Sequence, residues 1–170
     1  MTLNSEFNIK HDPNRIKLLT EKFPQLNPQC LSTLILFVQT AHEVYNGVCS
    51  RLSEYGLSIG NLKILMPLFL HDRSFTPSEL ADHSGVTRST VTSVIDKLER
   101  DGIIQRSTLK DRRMTAIHLT EAGKQFMTDR VPLLIQIFSN LLSEFADEDH
   151  ARLAELLQKL SMGVERVKRE

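Results

Sequence analysis

Thr76-Pro77-Ser78-Glu79-Leu80-Ala81, Ser84-Gly85-Val86 and Thr87-Arg88-Ser89-Thr90-Val91-Thr92 follow one another in a stretch that closes through Lys110-Asp111-Arg112-Arg113 and Thr115–Leu119. Thr76 to Glu79 has the form of a capping box with proline at the first helical position, so the threonine oxygen can satisfy a free backbone N–H while Glu79 reaches back. Leu80 and Ala81 are the inward residues of that helix, and Gly85 permits the left-handed turn that ends it. Thr87 caps a second helix whose apolar side is Val91, Val94, Ile95 and Leu98, at helical spacing. Gly102 ends it, with Ile103 placed to pack back on Leu98 in a Schellman arrangement. Ile103–Ser107 and Thr115–Leu119 then read as the arms of a hairpin, with Ile117 and Leu119 alternating with Ala116 and His118. The tip is basic.

The side of the second helix that faces away from this core carries Arg88, Ser89, Thr92, Ser93 and Asp96. Short polar side chains let a helix lie deep in a DNA groove, where hydroxyls and a guanidinium reach base edges or phosphates. On an isolated helix the same face is a plain solvated surface. Behind a helix–glycine–helix unit and ahead of a basic hairpin, it points to a helix for the major groove and an arginine finger for the minor groove. Asp111 fits a role in shaping the tip by pairing with an arginine.

Bulk properties agree with a globular chain. Of 170 residues, 41% are hydrophobic and 25% charged, and the formal net charge is zero. Neutrality by itself argues against a non-specific polyanion binder. The charge is unevenly placed, however: residues 86–118 hold seven basic and four acidic side chains, and compensating acid lies at Glu144, Asp147, Glu148 and Asp149. Cys30 and Cys49, without CxxC spacing, indicate neither a disulfide scaffold nor a zinc ribbon. No signal-peptide pattern opens the sequence and no apolar run approaches a membrane span, so a soluble, cytoplasmic chain is expected. A glycine-rich phosphate loop, a nucleophile motif and a paired-carboxylate setting are all missing, which leaves an enzyme without support.

Outside the central stretch the pattern is helical. Asp12-Pro13 opens a short helix to about Phe23, and Pro24 and Pro28 bracket a linker. From Cys30 to Tyr55 one apolar row runs Leu31, Val38, Tyr45, Leu52 and a second Leu34, Ala41, Val48, Tyr55. Such a stripe serves either an intramolecular core or a second chain. The flanking lobe is too small to cover its length, which favours a second chain. Ser58–His71 forms a further helix with Leu62, Leu65, Met66 and Phe69 on one face and a bend at Pro67. Thr120 caps a helix from Glu121 to about Ala146, kinked at Pro132, whose second half buries Leu134, Ile137, Phe138, Leu141 and Phe145. A last helix starts near Glu148. The expected fold class is mainly α with a small β wing. The expected organisation is an N-terminal extension (1–27), a dimerisation helix (28–57), a winged helix-turn-helix lobe (58–120) and C-terminal helices completing the dimerisation lobe (121–170).

Glu79-Leu-Ala, Thr90-Val-Thr, Asp96-Lys-Leu-Glu-Arg-Asp-Gly, Asp111-Arg-Arg and Leu119-Thr-Glu-Ala-Gly together resemble the winged helix-turn-helix of the MarR family of bacterial transcription regulators. The resemblance is specific from about Leu62 to Lys124. It implies a homodimer with interlocked first and last helices, bound to a palindromic operator in double-stranded DNA. It places Arg88, Ser89, Thr90, Thr92 and Ser93 on the recognition helix. The wing takes Lys110, Arg112 and Arg113, with Asp111 and Arg113 as its Asp-x-Arg motif and Arg113 in the minor groove. The extension before Pro28 is similar to that of longer members that regulate drug efflux or aromatic catabolism. Members respond to small aromatic anions, metals or oxidants through a cleft between the dimer helices and the DNA-binding lobe. Phe37, Tyr45, Met66 and Phe69 could line such a cleft for a small hydrophobic or phenolic effector, or serve as core. His11, His42, His71, His83, His118 and His150 are scattered with no pair at ligand spacing, so no metal and no cofactor are expected. Cys30 and Cys49 lie on or beside the stripe, where a buried inert thiol is the default and a thiol-redox regulator of the same fold the alternative. A winged-helix module that binds protein and does not read DNA is the remaining reading, and the arginine-rich tip argues against it.

Overall fold

The computed structural model describes residues 12–108 and 115–169, with nothing described of the Thr108 side chain. Seven helices and two strands follow in chain order among the described residues: α1 (Pro13–Lys22), α2 (Pro28–Glu54), α3 (Ile59–His71), α4 (Pro77–Ser84), α5 (Arg88–Arg100), β1 (Ile104–Thr108), β2 (Thr115–Leu119), α6 (Glu121–Leu141) and α7 (Asp147–Val167). The chain divides into two compact units, one ending at Val131 and one beginning at Pro132.

The first unit starts with two capped helices. Asp12 accepts the Asn14 amide, with Pro13 opening α1, and Asn27 accepts the amides of Gln29 and Cys30 to open α2 behind Pro28. Ile16 is the buried residue of α1, which packs on α2. Along α2 only Val48 and Leu52 are buried, while Leu34, Leu36, Phe37, Val44 and Tyr45 stand exposed. The heptad stripe is thus buried at Val48 and Leu52, half-buried at Leu31 and Val38, and exposed at Leu34, Ala41 and Tyr45. Cys30 is exposed and Cys49 half-buried, which corrects the expectation of two buried thiols. Arg130 of α6 stacks on Phe126 and donates from Nε to the Tyr55 carbonyl at 2.9 Å, satisfying an orphan acceptor at the end of α2.

The core of this unit gathers around α3, α4, α5 and the hairpin. Ser58 caps α3, which runs through Pro67 without interruption. Its deepest apolar side chains are Ile64, Leu65 and Leu68, with Leu62, Met66 and Phe69 only half-buried. The buried face is therefore rotated from the expected one, because α3 packs on α4, α5 and β2 together and not on a single neighbour. β1 and β2 pair antiparallel from Ile104↔Leu119 to Thr108↔Thr115. Phe75 adds a one-residue bridge on the far side of β2, exchanging both backbone hydrogen bonds with Ile117. Ala116, Ile117 and Leu119 are all buried, so the expected strict alternation along β2 does not hold. A strand covered on more than one side loses its polar face.

Thr120 links the hairpin to α6. Its hydroxyl donates to the Gly102 carbonyl at 2.7 Å and accepts the Gly123 amide at 2.9 Å. α6 continues through Pro132 but ends at Leu141, five residues before the expected Ala146.

The second unit holds the end of α6, a turn, and α7. Leu134 and Ile137 are buried as expected; Phe138, Leu141 and Phe145 are exposed, contrary to expectation. No residue of α7 is buried, although Leu153, Leu156, Leu157, Val164 and Val167 recur at helical spacing. Large apolar side chains thus stand exposed in rows on this unit. No helix among the described residues is long and apolar enough to cross a membrane.

Candidate nucleic-acid interface

The helix pair α4–α5 is fixed at each boundary by side-chain chemistry. Thr76 accepts the Glu79 amide at 3.2 Å while the Glu79 carboxylate accepts the Thr76 amide at 2.6 Å. The Thr76 amide, and then the Thr76 hydroxyl that donates to the same carboxylate at 2.9 Å, hold the Glu79 carboxyl below its ordinary pKa. Gly85 takes φ +63, the left-handed conformation the turn requires, and passes the chain to Thr87. Thr87 accepts the Thr90 amide and starts α5. At the far end, Gly102 at φ +70 donates to Glu99 and Ile103 donates to Leu98, the two bonds of a Schellman motif.

Val91, Ile95 and Leu98 seat α5 on the core and are essentially inaccessible, while Val94 is half-buried. That seating leaves Arg88, Ser89, Thr90, Thr92 and Ser93 on the solvent side, all exposed. Their hydroxyls are partly ordered by the helix itself. Thr87 Oγ1 lies 2.9 Å from both Ser89 Oγ and Thr90 Oγ1, and Thr92 Oγ1 donates to the Arg88 carbonyl at 2.9 Å. A hydroxyl oxygen has two acceptor lone pairs besides its O–H, so these side chains keep hydrogen-bonding capacity, and Arg88 adds a cation in the first turn.

Asp96, also exposed, does not stay a free carboxylate. Arg106 reaches across from β1 to Asp96 and Glu99 together. This pairing raises the guanidinium pKa, chiefly through the bond to Asp96. Sequence spacing gave no signal for it, since the partners lie ten and seven residues apart across a turn. Lys110, Asp111, Arg112 and Arg113 fall within 109–114, outside the described residues. The ladder that leads to them is described up to the pair Thr108↔Thr115.

Of the four residues expected for an effector cleft, Phe37 and Tyr45 are exposed on α2, and Met66 and Phe69 are half-buried on α3. The Tyr45 hydroxyl is hydrogen-bonded to the Cys49 thiol one turn on, which raises its pKa. Two histidines that spacing kept apart meet in space: the rings of His71 and His83 lie 6.1 Å apart and both flank Phe75. No group of three or more metal-ligating side chains is assembled among the described residues.

Comparison with known proteins agrees with this architecture. The MarR family profile matches residues 57–115. The HTH-type transcriptional repressor YetL of Bacillus subtilis is 36% identical over 113 residues, 63% of this chain and 68% of that protein. The crystal structure of Staphylococcus aureus MepR with DNA superposes at a TM-score of 0.66 with 22% identity, over 75% of this chain and 95% of that one. The organohalide-sensing regulator RdhR in its 2,4-dichlorophenol-bound form superposes at 0.67 with 22% identity, over 81% and 82%. With a winged helix-turn-helix bounded by its own caps and a repressor relative sharing over a third of the aligned residues, the chain belongs to the MarR family of transcription regulators.

Proposed function

We propose that two copies of this chain form a homodimer that reads a palindromic operator in double-stranded DNA and is released from it by a small hydrophobic or phenolic effector. The observation that carries the reading is α5: its apolar side is sealed into the core while five short polar or cationic residues of its first turns face outward. Arg88, Ser89, Thr90, Thr92 and Ser93 are the major-groove set. Lys110, Arg112 and Arg113 supply the minor-groove finger, with Asp111 shaping it. Dimerisation falls to residues 28–57 and 121–170, and reading to 58–120, with 1–27 as an extension. Support for the second copy comes from the uncovered faces of α2 and α7, since large apolar side chains in rows are stable in water only when another surface covers them. Two reading helices would then sit about 34 Å apart, one DNA turn. An effector among Phe37, Tyr45, Met66 and Phe69 acts by favouring a spacing that misses that register. MepR, of the same fold, is crystallised with DNA, and RdhR with a chlorinated phenol. A DNA reader of this kind works in the cytoplasm.

Selection of bound sequences from random DNA, followed by mobility-shift titration, tests the reading. Arg113→Ala should weaken operator binding and lower the salt dependence by about one counterion. Ser89→Ala or Thr92→Ala should change which bases are preferred, at about 1–3 kcal/mol per affected base pair. Unchanged affinity of the Arg113 variant across salt concentrations refutes the wing assignment.

A further inference from the structure

One set of charges joins the two elements that would meet DNA: Asp96 and Glu99 of α5, and Arg106 of β1, which belongs neither to the wing motif nor to the major-groove set. Arg106, the third residue of β1, spreads its guanidinium over α5, one nitrogen on Asp96 and the other on Glu99. Those carboxylates are three residues apart and share a helix face. A planar guanidinium can hold both at once; an ammonium cannot do so in the same geometry. The side chains of Arg106, Glu99 and Asp96 are 34%, 35% and 51% exposed, so the set lies at the surface with its guanidinium and one carboxylate partly sheltered.

Its place in the fold gives it leverage. From α5 to β1 the chain passes through only Asp101, Gly102 and Ile103, and the Schellman bonds fix where the strand begins. Ile104, buried, anchors its base. Two residues further on, Arg106 ties the strand to the helix again, and beyond it only Ser107↔Ala116 and Thr108↔Thr115 precede residues 109–114. The Phe75–Ile117 bridge and buried Ala116 hold β2 to the core at this level. Among the described residues, Arg106 is where β1 is tied to α5 beyond its base.

We propose that Arg106 is a positioning residue for DNA recognition, which with Asp96 and Glu99 sets the angle of the β1–β2 hairpin to α5 without itself touching DNA. The proposal rests on the DNA-reading function above. It makes a prediction opposite in sign to plain electrostatics. Removing carboxylates close to a polyanion should tighten binding; removing these two should weaken it, because the strand loses its tie.

The test titrates the selected operator at several salt concentrations with wild type, Arg106→Gln, Arg106→Lys, and Asp96→Asn/Glu99→Gln combined. Arg106→Gln and the carboxylate pair should each lose about threefold to tenfold in affinity, with an unchanged slope of log K against log salt. Arg106→Lys should recover part of the loss. Neutralising all three side chains should cost no more than neutralising the carboxylates, since the groups act as a unit. Should Arg106→Gln fail to fold, the carboxylate pair still decides the sign. Equal or tighter binding by the carboxylate variant overturns the proposal, as does a slope reduced by about one for Arg106→Gln, which makes Arg106 a phosphate contact. A wild-type chain that selects no sequence overturns the DNA reading itself, a result distinct from either.

Discussion

Gly123→Ala is the substitution for which local propensity and packing disagree most clearly. Gly123 is the third residue of α6, and alanine there should favour the helix by about 1 kcal/mol. Space forbids it. A Cβ at this position would lie 1.9 Å from the Ile103 carbonyl oxygen, 2.9 Å from its carbon and 3.3 Å from Leu119 Cδ2. Carbon–oxygen contacts settle at about 3.3 Å or more, so the carbonyl must retreat by about 1.4 Å. That oxygen accepts the Thr120 amide at 3.0 Å and lies 3.2 Å from the Thr120 hydroxyl. Losing those bonds costs about 0.5–1.5 kcal/mol each, and forcing a methyl into a closed contact about 1–3 kcal/mol. After the propensity gain, about 3 kcal/mol of net destabilisation remains, roughly 6–12 °C in Tm for a chain of this size. Ile103 also closes the Schellman turn after α5, so the hairpin shifts at its root and operator affinity should fall with stability. Thermal unfolding by circular dichroism and an operator titration check both. A variant as stable as wild type, or more so, refutes the argument, because propensity alone then describes the site.

Two further outcomes follow from the same geometry. The Glu79 carboxyl is held below its ordinary range chiefly by the Thr76 amide and then by the Thr76 hydroxyl; a group with a depressed folded pKa contributes stability that is complete above its unfolded value of about 4.3 and is lost as pH falls through the folded one. Urea unfolding between pH 7 and pH 3 should therefore show a smaller acid-side loss in Glu79→Gln than in wild type, and identical profiles count against the capping box. Leu156→Glu places a charge on the uncovered face of α7, and burying it unpaired against a second chain costs about 3–5 kcal/mol. Sedimentation equilibrium should show the proposed dimer dissociating at least a hundredfold more readily, and an unaltered association constant would mean that this face is not covered by a second copy.

How far the sequence reveals this molecule depends on whether the deciding forces are local. Thr76, Gly85, Thr87 and Gly102 each mark a boundary by bonding within a few residues, so α4, α5 and the hairpin are legible from the string of letters. Phe75 is not: a single-residue bridge to Ile117 carries no periodicity, and only the folded sheet reveals it. The buried face of α3 is misjudged for a related reason, since a helix packed on three neighbours is apolar around much of its girth and its strongest row need not be its deepest. The end of α6 at Leu141 escapes because apolar residues continue at helical spacing through Leu142 and Phe145, with neither glycine nor proline to mark the turn. Arg106 with Asp96, and His71 with His83, are unions of tertiary structure that no spacing rule anticipates.

The two halves of the pattern also differ in what completes them. Phe75, Leu80, Val91, Ile95, Leu98 and Ile117 close the reading lobe on itself, each nearly or fully inaccessible within one chain. The rows on α2 and α7 are as regular and remain open. Under the proposed assembly the shape of the reading surface is a property of each chain, whereas the spacing between two such surfaces belongs to the pair. An effector that disturbs only the pair can then release DNA while leaving α5, its caps and its Arg106 tie unchanged. This separation predicts that released protein keeps the stability of its reading lobe and loses only register.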